Sequence, residues 1–427
     1  MEPQSESLKE TMKTLLQTIP RGAIPNGTFT ISRVPAFIRD THEDLYQPQM
    51  VSIGPYHHNG QKFGTMEKHK HRYLRDFLER NTQVDIGTYI HAMHSLKDRA
   101  RDYFTENISL SDDQFVQMLL FDGCFILELA VKLENDQQDS FFLAEWDHKN
   151  LFSDLLLVEN QIPFFILEIL YAISKGINGT RESPVDSDLK SLLVNNLFVT
   201  KCSWVNGPWD GPISHLLHLY HKISLPNPEI TIPCSAQRQI SSRIIPPATE
   251  LLHFNFRLRK QGSINDCGVT LEFDVIKIPQ LIIDSTSQTL LTNLLAFERG
   301  LEVMNRRWTG LMVMMNCLVK NKRDYEILQE RGIVINLLPS DDDMMQFFSQ
   351  LSKQLTSDFS YHYYSDLFEK VSLKCDGTFR KYRARLVRDY FRDPYISVMF
   401  IYSYIILTVS AVQAAVAVLT YYSQRSK

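Results

Sequence analysis

Close cysteine pairs are missing from this chain. Cys124, Cys202, Cys234, Cys267, Cys317 and Cys375 are scattered so widely that no C-x-x-C spacing occurs. That excludes thioredoxin-like redox motifs and cysteine-rich zinc modules, and it predicts reduced thiols. Strong charge of either sign is missing too: a formal net charge of -4 gives no bias toward nucleic acid. The first twenty residues, MEPQSESLKETMKTLLQTIP, have no apolar run of the secretory kind, so no signal peptide is expected there. Sequence signatures of catalysis are also lacking. There is no G-x-S-x-G, no phosphate-binding G-x-x-x-x-G-K-[ST], no G-x-G-x-x-G and no H-E-x-x-H, since His42-Glu43 has no second histidine in place. The expectation is a protein without catalytic activity and without a cofactor.

The most informative absence is charge between Ile396 and Tyr422. An uncharged apolar stretch of this length crosses a hydrocarbon core of about 30 Å as a helix. Tyr402, Tyr404, Tyr421 and Tyr422 stand near its two ends, as an interfacial aromatic belt would. Arg380, Lys381, Arg383, Arg385, Arg388 and Arg392 precede it, whereas only Arg425 and Lys427 follow. Basic residues stay on the cytoplasmic side, so the expected topology is a cytosolic bulk domain with a C-terminal, single-pass anchor, the plasma membrane being the suspected location. Lys381, Arg385, Arg388 and Arg392 recur at helical spacing and form a face for contact with an anionic membrane surface. Ser410, Gln413, Ala414 and Ala417 share one face of the span. Small residues there permit close helix approach and a glutamine gains from an interhelical hydrogen bond, so this face is the candidate for homo-oligomerisation. The sequons at Asn26, Asn107 and Asn178 pull toward the opposite topology.

The rest reads as one large, mostly helical domain. Residues 5–19 carry apolar positions at helical spacing up to Pro20. Thr65 is a candidate N-cap for a helix reaching about Arg80, with Tyr73, Leu74, Phe77 and Leu78 as its buried stripe. Lys68, Lys70, Arg72 and Arg75 lie mostly off that stripe, as a solvated face or an anion site. His57, His58, His69 and His71 have no cysteine or paired acid to complete a metal site. Residues 115–133 are apolar nearly all round, which predicts a central core helix with Asp122 buried in its middle and needing a partner. Pro163 divides Asp154–Ser174 into two helical pieces with a corner at Glu159-Asn160-Gln161. Asp122, Glu159 and Asn160 form a candidate buried polar network. His215, His218 and His221 drift around a short helix and do not converge on one metal. Val269–Asp284 alternates in the manner of strands, with Pro279 suited to an edge. Lys322–Arg331 ends at Gly332, and Ser340 caps a helix whose three following aspartates favour its positive end.

The blocks SIGPYHHNG with MEKHKHRYL, FDGCFILEL, DLLLVENQIPFF, IPPATELL, IPQLIIDSTSQTLLTNLLAFE, RGIVINLL and RARLVRDYFRDP occur in this order. Together they resemble the plant family known as domain of unknown function 247, from about Ile31 to the span. After ATEL, where relatives often continue with a glycine-containing turn, this chain has Leu252, His253 and Phe254. The resemblance implies a mostly helical protein with a C-terminal membrane anchor and supplies no catalytic residues. Some grass relatives are associated with pollen–stigma self-incompatibility, which implies a recognition or signalling role with an unidentified protein partner. A small-ligand or lipid binder, or an enzyme with an unfamiliar site, is the alternative. The organisation expected is an N-terminal helix and linker over 1–28, a globular domain over 29–378, a basic juxtamembrane helix over 379–395, a transmembrane helix over 396–422 and a tail over 423–427. The fold class is mainly α, with a small β-hairpin or sheet.

Overall fold

A computed structural model describes residues 31–39, 43–58, 64–135, 145–177, 184–198, 212–224, 244–261, 268–302, 305–355, 362–378, 380–383 and 394–425. The chain is mostly helical, with two small sheets among these residues and one long apolar helix near the C-terminus. The expected helix over 5–19 and most of the basic segment before the span lie outside the described residues. The chain forms two compact units. One comprises residues 1–225 with 285–302, the other 226–284 with 303–427.

The first unit is built round α4 (Asp112–Glu134). Around it stand α2 (Gly64–Arg80), α3 (Ile86–Arg101), α6 (Phe164–Ser174) and α7 (Pro184–Leu197). A short turn α1 (Ala36–Arg39) precedes them, α5 (Glu145–Leu155) and α8 (Leu216–Ile223) complete the sequence-local part, and α10 (Ser285–Glu298) is contributed from further along the chain. Ser111 and Gln114 close a reciprocal capping box at the start of α4. The middle of that helix is buried on every side, as its unbroken apolar composition requires. Three ion pairs join α2 to α4: Lys70 to Asp122 at 2.7 Å, Lys132 to Asp76 at 2.6 Å and Arg80 to Glu128 at 2.7 Å. Lys70 corrects the sequence reading, because it is only 1% exposed rather than on a solvated face. Thr65 lies within the first turn of α2 rather than before it.

In the second unit, α9 (Ala248–His253) leads into β1 (Arg257–Gln261) through Asn255, whose φ of 69° reverses the chain. β2 (Thr270–Glu272) and β3 (Val275–Pro279) form an antiparallel hairpin, and β1 joins β3 in parallel with Arg257 opposite Val275 and Gln261 opposite Pro279. β3 is therefore central, not the edge that Pro279 suggested. The proline is tolerated as the last residue of the strand, past Lys277, where the β2 ladder ends. A second parallel pair joins β4 (Leu281–Ile283) to β5 (Val334–Asn336). β1 and β5 had no counterpart in the sequence reading. The apolar helix α11 (Arg307–Leu318) is buried almost throughout and packs with α13 (Asp341–Gln354). α12 (Lys322–Glu330) starts at a capping box of Asn321 and Asp324 and ends before Gly332, which has φ 65°. The Asp324 carboxylate also takes the Thr249 amide at 2.9 Å and its hydroxyl at 2.7 Å, which pins α9 to α12. Ser340 accepts the Asp343 amide at 3.1 Å as the cap of α13. α14 (Ser365–Asp376) and the long α15 (Pro394–Arg425) follow.

Candidate functional site

Gln49–Gly54 runs from the surface of the first unit into its interior, buried from Val51 onward, with no strand beside it among the described residues. Buried backbone groups need partners, and here side chains supply them. Asp154, in the last turn of α5, accepts the amides of Gln49 at 2.9 Å, Met50 at 2.6 Å and Val51 at 2.9 Å. Asn160 accepts the Ile53 amide at 2.7 Å and donates to the carbonyls of Val51 and Asp154, both at 2.9 Å. Asp122 accepts the next amide, Gly54, at 2.7 Å. Lys70 donates to the Ser52 carbonyl at 2.5 Å and to Asp122 at 2.7 Å. Burial works against the ammonium, but the Asp122 and Glu67 carboxylates outweigh it and hold the lysine pKa above its ordinary value. Gly54 has φ 76°, and a Cβ there would stand 2.2 Å from the Gln161 carbonyl oxygen, so no other residue fits. Gln161 in turn donates to the Leu155 and Leu157 carbonyls at 2.8 and 2.7 Å and accepts the Leu217 amide at 3.2 Å.

Asp122 and Asn160 thus hold neighbouring amides of one segment. Glu159 faces another. Its carboxylate is 1% exposed, accepts the Val34 amide at 2.7 Å, and lies 3.8 Å from Arg33, 3.9 Å from Arg39 and 3.7 Å from His57 Nε2. Burial raises the Glu159 pKa, with the Val34 amide and the two arginines opposing. Burial, then Arg33 and Arg39, lowers His57 to about 4. A carboxylate and a neutral imidazole flanked by two guanidiniums is chemistry suited to holding a proton or an anion. Its distances to the three cationic or basic groups are nevertheless longer than a direct hydrogen bond.

The three histidines of α8 converge, though on a ring rather than on each other. His215, His218 and His221 pack around Phe297 with centroid separations of 5.1, 5.5 and 5.3 Å. His215 caps the helix by accepting the His218 amide, and His221 Nε2 lies 2.7 Å from Glu298 Oε1. Burial lowers His215 to about 3 and His218 to about 2, so both are neutral. No group of three or more metal-ligating side chains occurs among the described residues. A groove of about 380 Å³ opens between α2, α4, α6 and α7, and the Arg80–Glu128 pair, Asn81, Tyr171, Lys175 and Asn195 line it.

Of the proposed membrane-contact residues, Lys381 is exposed, while Arg385, Arg388 and Arg392 lie outside the described residues. Ser410, Gln413, Ala414 and Ala417 are all exposed on α15. Sequence reasoning missed Lys70 and Asp154 as partners of the buried segment, and Gln161 as the side chain that ties the Leu155 and Leu157 carbonyls to the Leu217 amide. A signal for Lys70 existed: Met66, Lys70, Tyr73 and Phe77 recur at spacings of four, three and four, so the lysine stands on the buried stripe.

No solved structure matches the chain. A UPF0481 protein of Arabidopsis thaliana is 26% identical over 424 residues, covering 92% of this chain and 87% of the relative. A putative UPF0481 protein of the same plant is 25% identical over 140 residues, or 33% of this chain and 26% of that one. The blocks that supply the buried clamp, FDGCFILEL, DLLLVENQIPFF and SIGPYHHNG, all fall within residues 31–409, which match the family model described as plant protein of unknown function, and the chain belongs to that family, domain of unknown function 247.

Proposed function

We propose that this plant protein is held in a membrane by α15 and presents its helical units to a protein partner, acting in recognition or signalling rather than catalysis. The supporting observation is the helix itself. Val398–Tyr421 has a mean hydropathy of 1.8 and none of its most apolar window is buried against the chain. An apolar surface that size needs a cover, and a bilayer matches its length. Within the candidate polar network of Asp122, Glu159 and Asn160, Asp122 is engaged by the Gly54 amide and Lys70 and Asn160 by the Ile53 amide and two carbonyls, which favours structural roles for these two. In this reading the process served, pollen–stigma self-incompatibility included, follows from the partner.

The basic residues before α15 favour a cytosolic location for both units, with the plasma membrane as the destination. Fusing a glycosylation tag after Lys427 and treating microsomes with protease tests this. The expected result is a glycosylated tag and protease-sensitive units. Protected units with glycan on Asn107 would place recognition on the opposite face.

The groove between α2, α4, α6 and α7 favours a second reading, a small-ligand binder. Its mixture of Tyr171, Leu127 and Leu192 with the Arg80–Glu128 pair suits a polar molecule with an apolar portion.

A further inference from the structure

The turn between β2 and β3 is built in an unusual way. Phe273 is its first residue, has φ 54° and is 91% exposed. Glycine is the usual occupant of such a position, because bulky side chains rarely adopt this conformation. The turn is nevertheless held firmly. Arg380 makes two bonds to the Asp274 carboxylate at 2.8 and 2.9 Å, its guanidinium lies over the Phe256 ring at 5.2 Å, and Lys374 donates to the Phe273 carbonyl and to Asp274. The structure thus fixes the backbone while leaving a large aromatic side chain in solvent. A strained position that its surroundings hold in place is a pointer to function.

The surroundings are net positive, and Arg257 and Arg259 are their exposed cations outside the ion pairs to Glu272 and Asp274. Arg257 and Arg259 of β1 are exposed, and their register partners Val275 and Lys277 place Arg257, Arg259 and Lys277 on one face of the sheet. With Lys374 and Arg380 these make five cations at the hairpin, against the carboxylates of Glu272 and Asp274. Leu373 and Tyr382, which neighbour Lys374 and Arg380 in the chain, are 52% and 67% exposed. The same segment runs on toward α15. Residues 384–393 separate Arg383 from Pro394, a reach of at most about 40 Å even fully extended.

We infer that the β2–β3 hairpin face is a second membrane contact, with Phe273 entering the interfacial layer and Arg257 and Arg259 meeting anionic headgroups. Exposed aromatic and basic side chains together are the composition of a surface that lies against an anionic bilayer. This contact is distinct from the basic segment at 381–392, and it rests on α15 being the anchor. It would fix the orientation of the second unit on the bilayer, which a single tether cannot do.

The test uses the full chain in nanodiscs, with photoreactive p-benzoylphenylalanine in place of Phe273. Discs of phosphatidylcholine alone are compared with discs containing phosphatidylserine, and lipid adducts are counted by mass spectrometry. The expected result is a several-fold higher lipid adduct yield with phosphatidylserine, returned to the phosphatidylcholine level by Arg257→Glu with Arg259→Glu. Carbonate extraction is run in parallel. A carbonate-resistant chain that gives no lipid adduct, or only adducts to a second polypeptide, overturns the inference and leaves the anchor standing. A carbonate-extractable chain overturns the anchor itself, and the inference with it.

Discussion

Lys70 shows how much one side chain carries. It is a cation in the core of the first unit, satisfied by the Asp122 carboxylate, the Ser52 carbonyl and Glu67. Removing one member of a buried pair leaves the other charge uncompensated, which costs about 3–5 kcal/mol. Lys70→Met is therefore expected to lower stability by about that much in urea unfolding. Adding Asp122→Asn should recover part of the loss, because the uncompensated charge goes while an oxygen remains for the Gly54 amide. A double variant no better than the single would show that the pair is not coupled. The burial of Asp122 and its need for a partner were legible in the sequence, since it interrupts a continuous apolar helix. The identity of the partner was not, because a lysine among Lys68, Arg72 and Arg75 looks like one more surface charge unless its helical phase is followed.

Elements that have no regular neighbour are held by shape as well as by bonds. Gly54 and Gly176 both have positive φ, 76° and 70°, but only at Gly54 does a Cβ meet backbone, 2.2 Å from the Gln161 oxygen. Comparing Gly54→Ala with Gly176→Ala separates the two costs. The left-handed conformation alone costs about 1–2 kcal/mol, so Gly176→Ala should lose roughly that. Gly54→Ala should lose clearly more in the same thermal melts, and equal losses would show that the segment can move aside. Helix α8 makes a prediction about pH. His215 and His218 have folded pKa values of about 3 and about 2, below the ordinary 6.5. The unfolded chain therefore binds protons that the folded chain refuses. The stability from these neutral rings is present above pH 6.5 and is lost as pH falls below it, by about 1.4 kcal/mol per pH unit for each ring. His215→Asn with His218→Asn keeps an acceptor at each position and removes the titration. The slope of melting temperature between pH 6.5 and 5 should flatten in that variant, and an unchanged slope would assign it to other groups.

For the whole molecule, α15 is an apolar helix whose most apolar window has no cover among the described residues. Ser410, Gln413, Ala414 and Ala417 lie on one of its faces, and a glutamine in hydrocarbon gains from a partner on another helix. Self-association of the full chain in bilayers, read by energy transfer, is expected to weaken several-fold with Gln413→Leu and Ala414→Ile together. Association that persists unchanged would mean that any dimer forms elsewhere. The division into two units also belongs to this scale. Residues 285–302 fold with the first unit although the β-strands before them and the helices after them belong to the second. No change of composition marks that exchange, since α10 resembles any other half-buried helix in periodicity and charge.

By itself the sequence determined the elements that a local pattern can specify. The apolar span, the all-round buried helix α4, the start of α6 after Pro163 and the caps at Ser340 and Gly332 follow from residue type and spacing within one turn or one helix, whereas residues 156–163, expected as a helical piece before the proline, are not helical because α5 already ends at Leu155. The hairpin followed from the alternation between Val269 and Asp284. Tertiary structure decided what depends on distant pairing. It set β1 alongside β3 although the sequence RLRKQ has little strand character, because Leu258 faces the core while Arg257 and Arg259 remain in solvent. It joined Asp122 and Asn160 through adjacent amides of a segment far from both, and it turned Glu159 to Val34 instead. The physical reason is the same in each case. Backbone groups that leave water without a local partner take whichever polar side chain the packing of apolar helices brings to them, and that choice is made between residues about a hundred positions apart.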